Sequence, residues 1–81
     1  MAIELTLISR SYCHLCHDME VALAALKSEL DISLTVLDVD ADPLLESKYD
    51  ELVPVLLHGE RELCHYFLDE PKTREYLAEI R

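Results

Sequence analysis

Cys13 and Cys16 stand three residues apart, where an apolar run from Ile3 to Ile8 gives way to a helical pattern ending near Leu30. Two thiols at such a strand-to-helix junction can cycle between dithiol and disulfide. With Cys13 at or just before the first helical turn, the free backbone N–H groups there and the positive end of the helix dipole favour its thiolate. The thiolate is the nucleophile, so this placement sets reactivity. Cys16 follows almost one turn later, on the same side of the helix and more sheltered. From there it can attack a mixed disulfide at Cys13 and release the partner. His14, beside the nucleophile, would lower the thiol pKa further when protonated or relay a proton when neutral.

The 81 residues correspond to one domain, 1–81, with a small core. An apolar content of 51% with one Gly and three Pro is that of an ordered chain, and no linker, repeat or low-complexity stretch interrupts it. Seventeen acidic residues against seven basic ones give a formal charge of -10. Nucleic acid and anionic membranes are bound through Lys and Arg, so neither is an expected partner. The charge describes a soluble chain that repels its own copies and stays monomeric or, more sharply, a docking surface for a basic partner. Residues 1–4 carry no basic region and no long apolar segment, so the expected location is cytoplasmic, with neither signal peptide nor membrane span. Structural disulfides are rare in that compartment. The three cysteines are an odd number, which also disfavours a static framework. A Cys-x-x-Cys pair there is redox-active or metal-binding.

Ile3–Ile8 begins with alternation and becomes continuously apolar, as a strand does when much of both faces is covered. Ser9 to Tyr12 form the loop before the cysteines. From Leu15 the period is helical, with Leu15, Met19, Ala22, Leu23, Leu26 and Leu30 expected inward and His17, Asp18, Glu20, Lys27 and Ser28 toward water. Leu34–Val39 reads as a second strand, parallel to the first through a right-handed helical crossover. Asp42 as N-cap and Pro43 at the first position start a short helix to Tyr49. Leu52–Leu57 is a strand whose Pro54 belongs near an end or edge. His58–Arg61 turn the chain, and Glu62–Tyr66 return antiparallel. Asp69-Glu70-Pro71 opens a last helix through Ile80, with Tyr76, Leu77 and Ile80 inward. The expected class is α/β in the order β-α-β-α-β-β-α, a four-stranded mixed sheet with helices against it.

Cys13-His14-Leu15-Cys16 after one strand, Val53-Pro54 before another, and this element order together resemble the thioredoxin superfamily. The short length, without an extra N-terminal strand and helix, resembles the glutaredoxin branch, and within it the small bacterial glutaredoxin-like family. The resemblance covers essentially the whole chain. It implies a thioredoxin-like, glutaredoxin-type fold with helices on both faces of the sheet. It implies a cis Pro54 opposite Cys13, with the backbone of Val53 turned toward the site to pair with an extended substrate. It also implies that the proline keeps metal from the dithiol and that Tyr12 borders the substrate groove. One stretch departs from the family. Where glutaredoxins carry a Gly-Gly pair and an acidic residue that hold glutathione, this chain has His65-Tyr66-Phe67-Leu68-Asp69. No glycine there lets a backbone approach closely, and helix capping accounts for Asp69. The family's lysine before the motif is missing too, and Arg10 is the nearest cation to replace it. Glutathione is thus a possible but poorly fitted external reductant.

The same residues admit other chemistry. Cys13-His14-Leu15-Cys16-His17 matches the c-type haem pattern, which would need export and an axial ligand; the two methionines are Met1 and the helical Met19. Cys13, Cys16 and Cys64 with His65 or His17 would make a tetrahedral zinc set or hold an iron–sulfur cluster. A second paired-ligand motif is absent, which argues against metal. The expected function is thiol–disulfide exchange: Cys13 attacks, Cys16 resolves, His14 supports, and Tyr12, Val53 and Pro54 meet the substrate. It calls for no bound cofactor and no metal. Its partners are a protein or low-molecular-weight disulfide and an external thiol reductant. The alternative is a non-catalytic binding module, or one that holds zinc or an iron–sulfur cluster.

Overall fold

In the computed structural model, which describes residues 2–80, the change of period at the cysteines is a sharp element boundary. β1 (Ile3–Ser9) ends, and residues 10–13 lead into α1 (His14–Glu29). The chain continues through β2 (Ile32–Asp38), one 3₁₀ turn (Val39–Ala41), α2 (Pro43–Tyr49), β3 (Val55–His58), β4 (Arg61–His65) and α3 (Glu70–Ile80). This is the expected order with the 3₁₀ turn added.

The strands form one mixed sheet in the order β2-β1-β3-β4, with β1 and β2 parallel and the other pairs antiparallel. Strand alternation sorts the apolar side chains between two faces. Leu5 and Leu7 of β1 and Leu56 of β3 enter a core with Met19, Leu23 and Leu26 of α1 and Leu77 of α3. Ile8, Val55 and Leu57 point the other way, where Val39 joins them and Leu45 and Tyr49 of α2 pack on top. Helices therefore lie on both faces, as expected. Each fully buried leucine contributes about 1.5–3 kcal/mol through removal from water.

Some residues face differently from the sequence expectation. The buried stripe of α1 is Cys16, Met19, Leu23 and Leu26, while Leu15, Ala22 and Leu30 are half-buried. Cys16, one position on, takes the place assigned to Leu15 at the start of the stripe. On α3 the buried line runs through Thr73 and Leu77, four residues apart on one helix face, and Ile80 is 40% exposed.

Several boundaries also move for local reasons. β2 starts at Ile32, because Ile3 already pairs with it and the Ile3 N–H bonds Asp31 O at 3.0 Å. It stops at Asp38, whose carboxylate accepts the Asp40 N–H and starts the 3₁₀ turn. β3 begins only at Val55. Leu52 is still tied to the end of α2 through Tyr49 O, and Pro54 has no N–H for a ladder. β4 ends at His65, because Tyr66 turns to φ 66 and leaves extended geometry.

β3 and β4 join through Gly59-Glu60, where Gly59 takes φ +63 as the first residue of the turn, a conformation glycine adopts without steric cost. Leu56 pairs with Cys64 and Leu57 with Glu62, so Leu63 is the extra residue of a β-bulge. Leu63 and Cys64, although adjacent, therefore both enter the core under α1 and α3. β2 forms one edge of the sheet, with Val36 47% and Leu37 39% exposed. Among the described residues no helix is long and apolar enough to cross a membrane.

Candidate functional site

Cys13 is the N-cap of α1. Its backbone is extended (φ -113, ψ 112), its carbonyl accepts the His17 N–H at 3.1 Å, and its Sγ accepts the Cys16 N–H at 3.1 Å. A sulfur here does what a Ser or Asp oxygen does at most helix starts: it satisfies one of the N–H groups that the first turn leaves unpaired. Cys13 is half-exposed, whereas Cys16 is 2% exposed. The two thiols thus differ in access as the spacing implied.

The Cys16 thiol is pushed up to about 12, chiefly by burial and next by hydrogen bonding with Cys13. The Arg10 backbone amide opposes this, and the charges of Cys13 and Glu20 add to it. A consequence for stability follows. The folded chain keeps this proton to about 12, while the thiol of the unfolded chain releases it near 9.0. Between those values unfolding releases a proton, so stability falls as pH rises. Cys64, raised first by its own burial, acts in the same direction. The urea midpoint of the reduced protein is expected to be lower at about pH 10 than at about pH 8, above and below the ordinary thiol range. An unchanged midpoint would contradict it.

Sheet register gathers the remaining site residues. Ser9 lies opposite Asp38, Ile8 opposite Val55, and Val55 opposite His65. The loops following β1, β2 and β4 and the loop preceding β3 therefore meet at one end of the sheet. Val53-Pro54 lies in one of them, and its peptide bond is cis, as the resemblance implied. Pro54 is buried, Val53 is half-buried in the core under α2, and Pro54 O accepts the Tyr66 N–H at 2.9 Å. Tyr12 is 96% exposed, and with Ser11, Cys13, His14 and His17 it lines an open hollow on the surface. His14 is exposed to solvent beside Cys13.

Two features escaped the sequence. Arg10 does not stand free as a replacement for the missing lysine. Its Nε and Nη2 grip both oxygens of Asp40 at 3.0 Å, Nη2 also meets the Asp50 carboxylate, and Nη1 reaches Asp50 O at 3.4 Å. The clamp ties the cysteine loop to the turn after β2 and to the end of α2, which holds the Arg10 charge in place and holds Asp40 below the usual carboxylate range. No short-range pattern announces contacts across 30 and 40 residues. Tyr66 is the second. Its hydroxyl donates to Glu51 O at 2.8 Å, so the ring spans the stretch that leads to Pro54.

The zinc or iron–sulfur set of Cys13, Cys16 and Cys64 with His65 or His17 is not assembled: among the described residues no three His, Cys, Asp or Glu side chains converge as metal donors. Cys64 is buried in the core under α1 and α3, and His65 is occupied with Glu62 at 3.0 Å and with the Tyr66 ring at 4.7 Å.

Comparison with known proteins bears on this arrangement. Residues 4–78 match the glutaredoxin-like domain, DUF836. Protein Ne2328 from Nitrosomonas europaea is 35% identical and superposes with a TM-score of 0.83, covering 94% of this chain and 92% of its own. A protein from X. campestris is 37% identical with a TM-score of 0.70, covering 93% and 96%. An uncharacterised protein of Mycobacterium tuberculosis is 30% identical over 80 residues, 93% of this chain and 82% of its own. Thioredoxin 1 from Thermosipho africanus, at 20% identity and a TM-score of 0.65 over 95% and 97%, is a likeness of fold alone. With a family match that runs almost end to end, on a fold like that of thioredoxin, the chain belongs to the glutaredoxin-like domain family.

Proposed function

We propose that this protein is a thiol–disulfide oxidoreductase of a reducing, cytoplasmic compartment. The observation that carries the reading is the asymmetry of the pair: a half-exposed Cys13 sulfur that accepts an amide at a helix start, above a buried Cys16 thiol hydrogen-bonded to it. Access and an amide donor suit Cys13 to attack. A retained proton suits Cys16 to wait.

The Cys13 thiolate attacks one sulfur of a substrate disulfide, forms a Cys13–substrate disulfide and expels the other substrate sulfur as a thiolate, which takes a proton. Once Cys13 is capped, its charge and its hydrogen bond no longer hold the Cys16 proton, and burial and the Glu20 charge are left to oppose its loss. Cys16 then gives up that proton and attacks Cys13 Sγ. The Cys13–Cys16 disulfide forms and the second substrate thiol leaves. Two electrons and two protons have passed to the substrate. An external dithiol, oxidised in turn, restores the pair. His14 lies within reach of solvent to carry protons, and Val53 offers its backbone to an extended substrate. Glutathione is the weaker candidate for the reductant, because Arg10 is already held by two carboxylates and cannot serve as a free anchor for another.

The test is turnover of a peptide disulfide with a small dithiol as the regenerating reductant. Many turnovers per protein molecule are expected. Binding without turnover, or stoichiometric metal retained by Cys13 and Cys16 after purification, would overturn the reading in favour of a binding or metal-holding module.

A further inference from the structure

The four loops at the Cys13 end of the sheet are unusual in their charge. Residues 10–13, 39–42, 50–54 and 66–69 contain one cation, Arg10. That cation faces two carboxylates, Asp40 and Asp50, so it neutralises one charge of the two. Glu51 adds to the remainder, and so does Asp69, whose carboxylate also caps α3 through the Lys72 N–H. The mouth of the site is therefore an anionic field, and the focusing of such a field at an exposed cleft raises the local concentration of cationic ligands.

The same loops expose aromatic surface. Tyr12 is 96% exposed, Phe67 68% and Tyr66 38%. Tyr66 is pinned at a positive φ by its N–H on Pro54 O and by its hydroxyl on Glu51 O. Its ring thus sits beside the Glu51 segment. Ring faces next to carboxylates are the surroundings in which an ammonium or guanidinium is held well, the carboxylate supplying charge and the ring its quadrupole. Their long aliphatic stems also cover exposed aromatic carbon.

We propose that the disulfide reduced at this site is carried by a basic polypeptide segment, with Lys or Arg side chains flanking its cystine. The inference rests on the oxidoreductase reading above and uses the same exchange, with electrons and protons passing as described. Lys or Arg near the cystine meets the carboxylates of the four loops, and its stem and charge lie against Tyr12, Tyr66 and Phe67. A disulfide flanked by carboxylates meets like charge at every approach. Glutathione disulfide, whose carboxylates outnumber its amines, belongs with the disfavoured class.

Three peptide disulfides, identical except for Lys, Gln or Glu on either side of the cystine, provide the test, with glutathione disulfide assayed alongside. At low salt, kcat/KM for the Lys peptide is expected to exceed that for the Glu peptide by about tenfold or more, the range of electrostatic steering. The difference is expected in KM more than in kcat. It closes in high salt, where the screening length falls to a few ångströms. Glu51→Gln and Phe67→Ser each narrow the gap. Turnover of all three peptides at equal efficiency, or a preference for the Glu peptide, would overturn the inference and leave the oxidoreductase reading standing. Turnover of none would overturn both.

Discussion

Under the proposed exchange, Cys13→Ser is expected to abolish disulfide reduction, whereas Cys16→Ser is expected to carry out the first exchange and stop there. The hydroxyl of serine is not an anion at neutral pH and does not attack a disulfide, so the Cys13 variant is expected to fall by about a thousandfold or more, to the uncatalysed background. The serine oxygen still accepts the amide at position 16, as serine does at most N-caps, so the fold is expected to survive. The Cys16 variant retains the exposed nucleophile and loses only the sulfur that would release the partner. It should accumulate a mixed disulfide at Cys13, seen in the intact mass as protein plus one substrate half and reversed by dithiol. Alkylation follows the same order. Iodoacetamide is expected to label Cys13 first, because Cys16 and Cys64 are buried and both hold their protons above the ordinary thiol range. A Cys16→Ser protein that turns over as fast as the parent would show that the second sulfur is not the resolving group.

Leu23→Ala should be the most damaging single truncation outside the site. Leu23 is fully enclosed between α1 and the sheet, in the core that also holds Leu5, Leu7, Leu56 and Leu77. Loss of its methyl groups removes their transfer free energy and leaves a cavity, a cost of about 2–5 kcal/mol. A chain of this length has only about 4–12 kcal/mol in hand, at roughly 0.05–0.15 kcal/mol per residue. The melting temperature is therefore expected to fall by about 10 °C or more, at roughly 4–8 °C for each kcal/mol in a small domain. Leu44→Ala is the matched control: Leu44 is 77% exposed, and its truncation should move the midpoint by no more than about 0.5 kcal/mol. Equal losses in the two variants, followed by calorimetry, would contradict the assignment of the core.

Much of the scaffold was legible because its signals are local. Asp42 and Pro43 start α2 at the position their capping roles require, and its end at Tyr49 also agrees. The Cys13–Cys16 spacing placed one thiol at the helix start and the other on its buried face. What stayed hidden is non-local. Arg10 finds its carboxylates only after β1, β2 and α2 have been assembled. The bulge at Leu63 depends on how β4 fits against β3, and plain alternation cannot reveal an extra residue. Thr73 replaces Ile80 on the inner face of α3 because neighbours, and not hydropathy, decide which line of that helix is covered. At Tyr66 the left-handed backbone belongs to a residue type that rarely adopts it, and hydrogen bonds to two distant carbonyls hold it there.

The outer strand β2 presents an unguarded flank. Its run of Ile32–Asp38 has no proline and no lysine, and Val36 and Leu37 are partly bare. β4, on the opposite side, is kinked by its bulge and carries Arg61, Glu62 and His65 outward. The net charge of -10 opposes the addition of a second copy to β2, and that opposition fades toward the isoelectric point near 4.6. Mild acid thus weakens this guard against strand-to-strand clumping while leaving the leucine interior, which carries no charge, intact.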